Sequence, residues 1–338
     1  MIKKILKLIL LILLILIIGL GLYLFTGKAK PVDKVDWGVT FSKRYAIDLG
    51  LDWQKTFLSI INDLKVKKIR LIAYWDEIEK TEGEYDFRDL DWQINQAEKT
   101  GGEIILAVGR RLVRWPECFE PEWIKEWTED KKQEQILKFI EETVSRYKNR
   151  SSIKVWQVEN EPFLVIFGRC PLLNRKFLQK EIDLVRYLDL SKNSGQERPI
   201  MITESGEFST WIGASRRADI LGTSLYQKVH NKVFGYVKYP IPPGFYIRKT
   251  NLMKFLFGIK EIIAVEVQAE PWGDKAITEL TQEEQDITMS FEQFNIMLEY
   301  TRQAGFEKGY LWGVEWWYWK AQNGDNRFLD RAKTLFSP

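Results

Sequence analysis

Two segments of the sequence place carboxyl side chains where they could act together on one substrate. The segment VWQVENEPF, residues 155–163, sets the amide of Asn160 beside the carboxyl of Glu161, with Glu159 two positions earlier. The segment IIAVEVQAEPWG, residues 262–273, carries Glu266 and Glu270, which share one face of an extended strand because their spacing is even. Carboxyl groups in such pairs can serve as general acid, general base and nucleophile. The sequence therefore points to carboxylate chemistry.

The composition disfavours other kinds of site. The 338 residues include a single histidine, His230, and two cysteines, Cys118 and Cys170. Histidine-rich metal clusters and cysteine-rich zinc sites are therefore not expected, and no metal or organic cofactor is predicted. A metal-dependent hydrolase is disfavoured for the same reason.

Aromatic content and charge indicate the kind of partner. The chain has 14 Trp and 13 Tyr, and flat indole faces suit stacking on sugar rings, so we expect an oligo- or polysaccharide partner. The 50 basic and 47 acidic residues leave a formal net charge of +3. There is no basic block outside the N-terminus, so no nucleic-acid partner is predicted. The sequence makes no prediction of oligomeric state.

The N-terminus is expected to lie outside the catalytic fold. We interpret residues 1–4 as a short basic N-terminus, 5–25 as a transmembrane signal anchor, 26–36 as a tether and 37–338 as one barrel domain. The apolar run is long enough for a helix to cross a hydrocarbon core of roughly 30 Å. Lysines before it favour a cytoplasmic N-terminus and an extracytoplasmic barrel. A cleaved signal peptide is the alternative, although the run exceeds the usual length of about 7–15 residues.

The elements that must position the carboxyl groups follow an alternating strand and helix pattern. Amphipathic segments such as 133–147 and 282–304 separate short apolar runs, and residues 227–250 are expected to form a long loop. Eight such units predict a (β/α)₈ barrel, whose active site is built at the carboxyl ends of the strands. An open doubly wound sheet is disfavoured because no glycine-rich loop follows the first strand. The predicted strands are 37–41, 69–75, 103–109, 153–159, 199–205, 219–226, 261–268 and 309–315.

The Asn-Glu-Pro segment at the end of the fourth predicted strand resembles that of the clan A glycoside hydrolases. This superfamily holds family 5 cellulases and mannanases, family 10 xylanases and family 42 galactosidases. Residues 73–111 also resemble the second and third barrel units of families 5 and 42. The resemblance implies a barrel, retention of anomeric configuration, and two catalytic glutamates. It assigns Glu161 as acid/base, Asn160 as the ligand of the sugar 2-hydroxyl, and Glu266 on the seventh strand as nucleophile.

Both catalytic assignments have a rival. Glu159 has the same strand parity as Glu161, although the Asn-Glu-Pro pattern favours the latter. Glu270 could replace Glu266 as nucleophile, because Val265 stands where the resemblance leads us to expect Thr. If Glu266 is the nucleophile, Glu270 would be a substrate ligand or the partner of an arginine. Retention requires the two carboxyl groups to lie roughly 5–5.5 Å apart.

Other strand-end residues are candidate substrate-binding or positioning groups. Arg70 resembles the strand-two arginine of some clan members, with a buried ion pair as its structural alternative. Tyr226 resembles an aromatic residue that contacts the nucleophile, and Trp316 resembles a tryptophan at the floor of a sugar subsite. Trp75 and Trp115 are further rim candidates, for which packing is the simpler interpretation.

The sequence thus favours a membrane-anchored retaining glycoside hydrolase that cleaves O-glycosidic bonds by double displacement. The alternative is a non-catalytic carbohydrate-binding barrel at the cell surface. Cys118 and Cys170 fall in neighbouring loops after the third and fourth strands, where export would permit a disulfide.

Overall fold

The computed structural model describes residues 2–164, 168–171, 174–190 and 197–337. Eight parallel strands within these residues close into a barrel in the order β1, β10, β9, β6, β5, β4, β3, β2, and β7 and β8 form a separate antiparallel hairpin. The predicted (β/α)₈ barrel is confirmed. The strands are β1 (Asp36–Thr40), β2 (Lys68–Ile72), β3 (Glu103–Val108), β4 (Ile153–Val158), β5 (Ile200–Glu204), β6 (Ile220–Leu225), β7 (Lys228–Asn231), β8 (Gly235–Lys238), β9 (Glu261–Gln268) and β10 (Lys308–Trp312).

Helices surround this barrel. The predicted segment 133–147 lies in α6, and 282–304 divides into α10 and α11 at Ser290, whose side chain accepts the Gln293 N–H and caps the second helix. The helices are α1 (Ile2–Phe25), α2 (Lys43–Asp48), α3 (Trp53–Asn62), α4 (Trp75–Ile78), α5 (Arg88–Lys99), α6 (Glu129–Tyr147), α7 (Arg175–Leu190), α8 (Ile212–Ser215), α9 (Pro243–Phe257), α10 (Gln282–Met289), α11 (Phe291–Gln303), α12 (Val314–Gln322) and α13 (Arg327–Phe336).

The barrel strands are buried on both faces, which explains their nearly continuous apolar runs. In β3, Ile104 and Leu106 pack outward against the helices, whereas Ile105 points into the barrel. The barrel interior is filled by side chains and is not a pore. Its buried cluster consists of Ile105, Met201, Ile220, Ile263, Val265 and Tyr310.

Three parts of the predicted secondary structure are wrong. Residues 227–250, expected to form one long loop, contain the β7–β8 hairpin and the first half of α9. Pro243 occupies the first turn of α9, where proline costs no helical hydrogen bond, so the proline-rich stretch is a helix start. The last barrel strand ends at Trp312 instead of Glu315, because Gly313 has φ 117° and caps α12, which begins at Val314. The second strand ends at Ile72 instead of Trp75, because Trp75 begins α4.

The N-terminal helix α1 extends three residues further towards the N-terminus than predicted. It is long and apolar enough to cross a membrane by length and composition, and a signal sequence would meet the same criterion. Its C-terminal turn packs on the barrel domain, where the Phe25 and Phe245 ring centroids lie 5.0 Å apart. The following segment runs along α11, since the Val32 N–H donates to the Arg302 carbonyl at 3.1 Å.

Candidate active site

Arg70 is the centre of a hydrogen-bonded group at the carboxyl ends of the strands. Its side chain is fully buried on β2. Nε donates to Gln157 Oε1 at 2.7 Å, Nη1 to Glu266 Oε1 at 2.8 Å and Nη2 to Asn160 Oδ1 at 2.8 Å. The planar guanidinium can make these contacts together because its donors are fixed in a fork. The structure thus brings together three residues identified in the sequence, Arg70, Asn160 and Glu266.

The turn after β4 is strained. Glu159 has φ 60° and Glu161 has φ 43°, a left-handed conformation that costs residues with a side chain roughly 1–3 kcal/mol each. Thr203 on β5 secures this turn, because its hydroxyl donates to Asn160 Oδ1 at 2.9 Å and accepts the Glu161 N–H at 2.8 Å. The amide of Asn160 and the carboxyl of Glu161 are therefore kept side by side, and the amide oxygen already has its partners.

Glu161 has the environment of a general acid. Its side chain is nearly buried, with 7% of the residue exposed. Burial raises the pKa of the Glu161 carboxyl well above its usual range, and the negative charges of Glu266, Glu117 and Glu207 raise this pKa further. A carboxyl in this environment keeps its proton at neutral pH and can give it to a leaving group.

A β-bulge in β9 directs Glu266 into the mouth of the barrel. Along β6, Thr223 pairs with Ala264 and the next residue, Ser224, pairs with Glu266, so β9 has one extra residue at this point. The pairing with β10 shifts at the same place. Val265 consequently packs in the barrel interior while its neighbour Glu266 lies against Arg70. Bulges commonly redirect a side chain in this way.

Glu270 lies beyond the end of β9 and belongs to a second ion-pair group. Its Oε1 accepts from the guanidinium of Arg114 and from Trp312 Nε1, the latter at 2.7 Å. In the structure Glu270 is therefore the partner of an arginine, which is the role expected if Glu266 is the nucleophile.

Tyr226 follows β6 and faces the carboxyl groups. Burial raises the pKa of the Tyr226 phenol well above its usual value, and the charges of Glu266, Glu270 and Glu161 raise it further. The phenol therefore keeps its proton and can act as a donor. The backbone is fixed by Glu207, whose Oε1 accepts the Tyr226 N–H at 2.8 Å.

Trp316 does not lie at the site, contrary to our expectation for a subsite floor. It is fully buried on α12 and packs against Phe328 with ring centroids 4.6 Å apart. The indole that the structure brings to the end of the last strand is Trp312. Trp75 is likewise a core residue, whereas Trp115 is 59% exposed.

Most other charged residues at the strand ends form ion pairs with one another or accept hydrogen bonds from backbone N–H groups. The contacts are Arg44 with Asp76 and Glu77, Arg110 with Glu120 and Glu129, Glu204 with the Ala214 N–H, and Glu315 with the Ser42 N–H.

The loop after β3 supplies residues that the sequence analysis did not single out. Burial raises the pKa of Glu117 to about 7, although the charge of Arg111, 2.7 Å away, opposes this shift. Cys118 and Cys170 form a disulfide that joins this loop to the loop after β4. In the sequence, only position could have identified Arg114 and Glu117 as site residues. Both follow a strand at the end of the barrel where the other site residues lie.

Glu159, the rival acid, has a structural role. Its carboxylate accepts the N–H groups of Arg110 and Arg111 at 2.7 and 2.6 Å, and so fixes the start of the loop after β3. Glu181 on α7 faces it, fully buried, and no other donor among the described residues reaches the Glu181 carboxyl. Burial raises the pKa of Glu181 well above its usual range, and the charge of Glu159 raises it further. We infer that protonated Glu181 donates to Glu159.

This pair predicts that the barrel loses stability as pH rises. Between the unfolded pKa of about 4.3 and its raised folded pKa, Glu181 binds more protons in the folded state, so the free energy of unfolding falls across that window. We expect Glu181→Gln, which keeps a donor without the charge, to flatten this fall and to gain roughly 1–2 kcal/mol at its upper end. Chemical unfolding followed by tryptophan fluorescence from pH 5 to 9 measures it. Exposed Glu134→Gln on α6 is the control, and an unchanged slope in Glu181→Gln would refute the shared proton.

We expect the substitution Arg70→Lys to lower both the free energy of unfolding and the rate of the reaction. A lysine keeps the charge but cannot reach Gln157, Asn160 and Glu266 together, so buried acceptors lose their donors. We expect the free energy of unfolding to fall by roughly 1–3 kcal/mol. We also expect kcat/KM to fall by about 10²-fold, because the catalytic side chains shift. Exposed Arg88→Lys is the matched control, and a variant with wild-type rate and stability would contradict the role given to Arg70.

One segment of the chain matches the model of a known protein family. The model of glycosyl hydrolase family 10 matches residues 72–166, which is less than half of the chain. This segment includes β3, β4 and the Asn-Glu-Pro turn. No curated protein sequence matches the chain. The family match supports glycosidase activity.

Solved glycosidase structures share the fold. The cold-adapted β-galactosidase of Rahnella sp. R3 has a TM-score of 0.60 at 11% identity, covering 91% of this chain and 57% of that one. GH5_18 from Bifidobacterium longum subsp. longum ATCC 55813, in complex with Manβ1-4GlcNAc, has a TM-score of 0.57 at 12% identity, covering 82% and 68%. Xylanase 10B from Thermotoga petrophila RKU-1 has a TM-score of 0.50 at 12% identity, covering 82% of each chain.

The chain spans little more than half the length of the Rahnella enzyme and about two thirds of the Bifidobacterium enzyme. At these identities the likeness is one of fold. Together with the family match, it fits the resemblance to clan A glycoside hydrolases.

Proposed function

We propose that this chain is a retaining glycoside hydrolase that cleaves O-glycosidic bonds of an oligo- or polysaccharide by double displacement. One observation carries the proposal. The guanidinium of Arg70 donates at 2.8 Å both to Glu266 and to Asn160, the neighbour of Glu161. The proposed nucleophile and acid are thereby held near each other, and the charge of Glu266 helps to keep Glu161 protonated.

The proposed first step breaks the glycosidic bond. A carboxylate oxygen of Glu266 attacks the anomeric carbon while the Glu161 proton passes to the departing oxygen, so that the aglycone leaves as a neutral alcohol. Asn160 donates its amide N–H to the sugar 2-hydroxyl, because its carbonyl oxygen is already engaged by Arg70 and Thr203. The Tyr226 phenol, which lies within range of the charge of Glu266, can donate to that carboxylate and help to fix its orientation.

The proposed second step releases the sugar. Glu161, now ionised, accepts a proton from water, and the resulting oxygen attacks the anomeric carbon of the sugar ester of Glu266. The ester bond breaks, Glu266 is again a carboxylate, and Glu161 is again protonated. Two inversions at the same carbon give overall retention of configuration.

Turnover distinguishes this proposal from non-catalytic carbohydrate binding. The full chain in detergent is incubated with 4-nitrophenyl β-glycosides of glucose, galactose, mannose and xylose and with the corresponding β-linked polysaccharides. We expect hydrolysis of at least one of these substrates, with loss of activity in Glu161→Ala and Glu266→Ala. If polysaccharide binds equally well to wild type and both variants while no substrate is cleaved, the non-catalytic function is the correct one.

The position of the domain outside the cytoplasm is part of the proposal. Lysines precede the apolar helix α1, and the Cys118–Cys170 disulfide fits an oxidising compartment. The N-terminal sequence of the protein recovered from membranes tests the anchor. A chain that begins after residue 25 would show that α1 is a cleaved signal peptide.

A further inference from the structure

Arg114 reaches across the mouth of the barrel from the loop after β3. Its Nη1 donates to Glu270 beyond β9, and its Nη2 donates to Glu315 Oε2 at 3.0 Å, beyond β10. All three residues are buried, with exposed fractions of 7% for Arg114, 8% for Glu270 and 0% for Glu315. One side chain therefore ties the third strand's loop to the ends of the last two barrel strands.

Aromatic rings cover both faces of this guanidinium. The guanidinium carbon of Arg114 lies 3.7 Å from the ring centroid of Tyr45 and 4.1 Å from that of Trp312. Trp312 also donates to Glu270, so the ring and the ion pairs support each other. We call Tyr45, Arg114, Trp312, Glu270 and Glu315 the Arg114 layer. It is a closed wall of stacked and paired groups along the β9, β10 and β1 side of the mouth.

The chemistry of the proposed reaction decides which part of a substrate meets this wall. The glycosidic oxygen must lie against Glu161, which follows β4, so the departing part of the substrate extends towards that side. The sugar attacked by Glu266 stays over β9 and the strands next to it. The Arg114 layer lies at the ends of β9 and β10, so a chain that continued beyond this sugar on that side would meet it.

Opening the layer is unfavourable. Moving Arg114 aside would leave Glu270 and Glu315 buried without their counter-charge, and it would separate two cation–aromatic contacts. The loop that carries Arg114 is also fixed nearby by the Cys118–Cys170 disulfide. We therefore expect the Arg114 layer to stay in place when substrate binds.

We propose that this enzyme releases single sugars from the non-reducing ends of its substrates, and that Arg114 is the residue that sets this exo specificity. The proposal rests on the hydrolase function proposed above. In this proposal, the Arg114 layer closes the end of a pocket that holds one sugar. The substrate class is therefore a glycan with an accessible non-reducing terminus, and chain-internal bonds are excluded.

The product pattern of the wild-type full chain tests the proposal first. The probes are β-1,4-linked 4-nitrophenyl tetrasaccharides of glucose, galactose and mannose, with the terminal sugar either free or blocked by a 4,6-ketal. We expect stepwise loss of one sugar from a free tetrasaccharide and no cleavage of its blocked form. Cleavage of the blocked form would overturn the proposal while leaving the hydrolase function standing. No cleavage of any probe or monoglycoside would overturn the hydrolase function and this proposal with it.

Variants test the role of Arg114. In Arg114→Ala, and in Arg114→Ala combined with Glu315→Gln, which leaves one unpaired carboxylate instead of two, kcat/KM for the blocked substrate should rise to roughly 10-fold or more above the wild-type detection limit. Arg169→Ala is the matched control, since Arg169 is exposed and its guanidinium lies over the Trp115 ring, outside the Arg114 layer. A folded Arg114→Ala chain that still rejects blocked substrate would show that another part of the site sets specificity. Near-ultraviolet circular dichroism establishes that the variants are folded.

Discussion

Hydrolysis by the Glu266→Ala variant is expected to be slower than wild type by roughly 10⁴-fold or more in kcat, because the variant lacks the carboxylate proposed to form the glycosyl ester. Glu266 is the carboxylate that Arg70 holds at 2.8 Å beside Asn160, and the β9 bulge directs it there. The measurement is steady-state hydrolysis of the best aryl glycoside from the substrate panel. Glu261→Ala, at the start of the same strand and paired with Lys308, is the control and should keep wild-type kcat.

Glu270→Ala separates the two possible nucleophiles. Glu270 is part of the Arg114 layer, so its loss should alter substrate binding and stability more than the chemical step. An inactive Glu270→Ala chain together with an active Glu266→Ala chain would move the nucleophile to Glu270.

Replacement of Glu161 by alanine is expected to have an effect that depends on the leaving group. For a sugar or methylumbelliferyl leaving group, which needs protonation, kcat/KM should fall by about 10²–10⁴-fold. For 2,4-dinitrophenol, which leaves without a proton, the loss in this first step should be slight. The exposed Glu122→Ala serves as control. Equal losses for both leaving groups would show that Glu161 is not the acid.

The pH dependence gives a second readout of the same residue. Glu161 must be protonated in the first step, so kcat/KM should fall as pH rises through its raised pKa. This alkaline limb should disappear in Glu161→Ala. An alkaline limb that persists unchanged would assign it to another group.

The barrel could be predicted from the sequence because its strands are buried on both faces. Runs such as 103–109 and 261–268 are apolar, and amphipathic helical segments separate them. The β7–β8 hairpin escaped prediction because its strands have four residues each and are partly exposed. The boundary at Gly313 also escaped, and with it the helical position of Trp316. A single glycine conformation decides whether the residues after it continue a strand or start a helix.

The candidate site residues that lie on strands or directly after them could be identified in the sequence. Arg70, Asn160, Glu161 and Glu266 lie at one mouth because the barrel brings the carboxyl ends of its strands together. Arg114 belongs to a loop, and its partners lie 156 and 201 residues away in sequence. Such pairings depend on how a loop closes over the mouth, which residue types and spacing do not reveal.

Azide rescue is the direct test of Glu161 as acid/base and Glu266 as nucleophile, because the product shows which carboxyl group acts at which face of the sugar. Glu161→Ala and Glu266→Ala are each incubated with azide and the activated aryl β-glycoside, and the anomeric configuration of the glycosyl azide is read by nuclear magnetic resonance. We expect a retained β-azide from Glu161→Ala, where azide attacks the glycosyl ester. We expect an inverted α-azide from Glu266→Ala, where azide takes the place of the missing carboxylate. An inverted product from Glu161→Ala, or a retained one from Glu266→Ala, would contradict the roles given to these two residues.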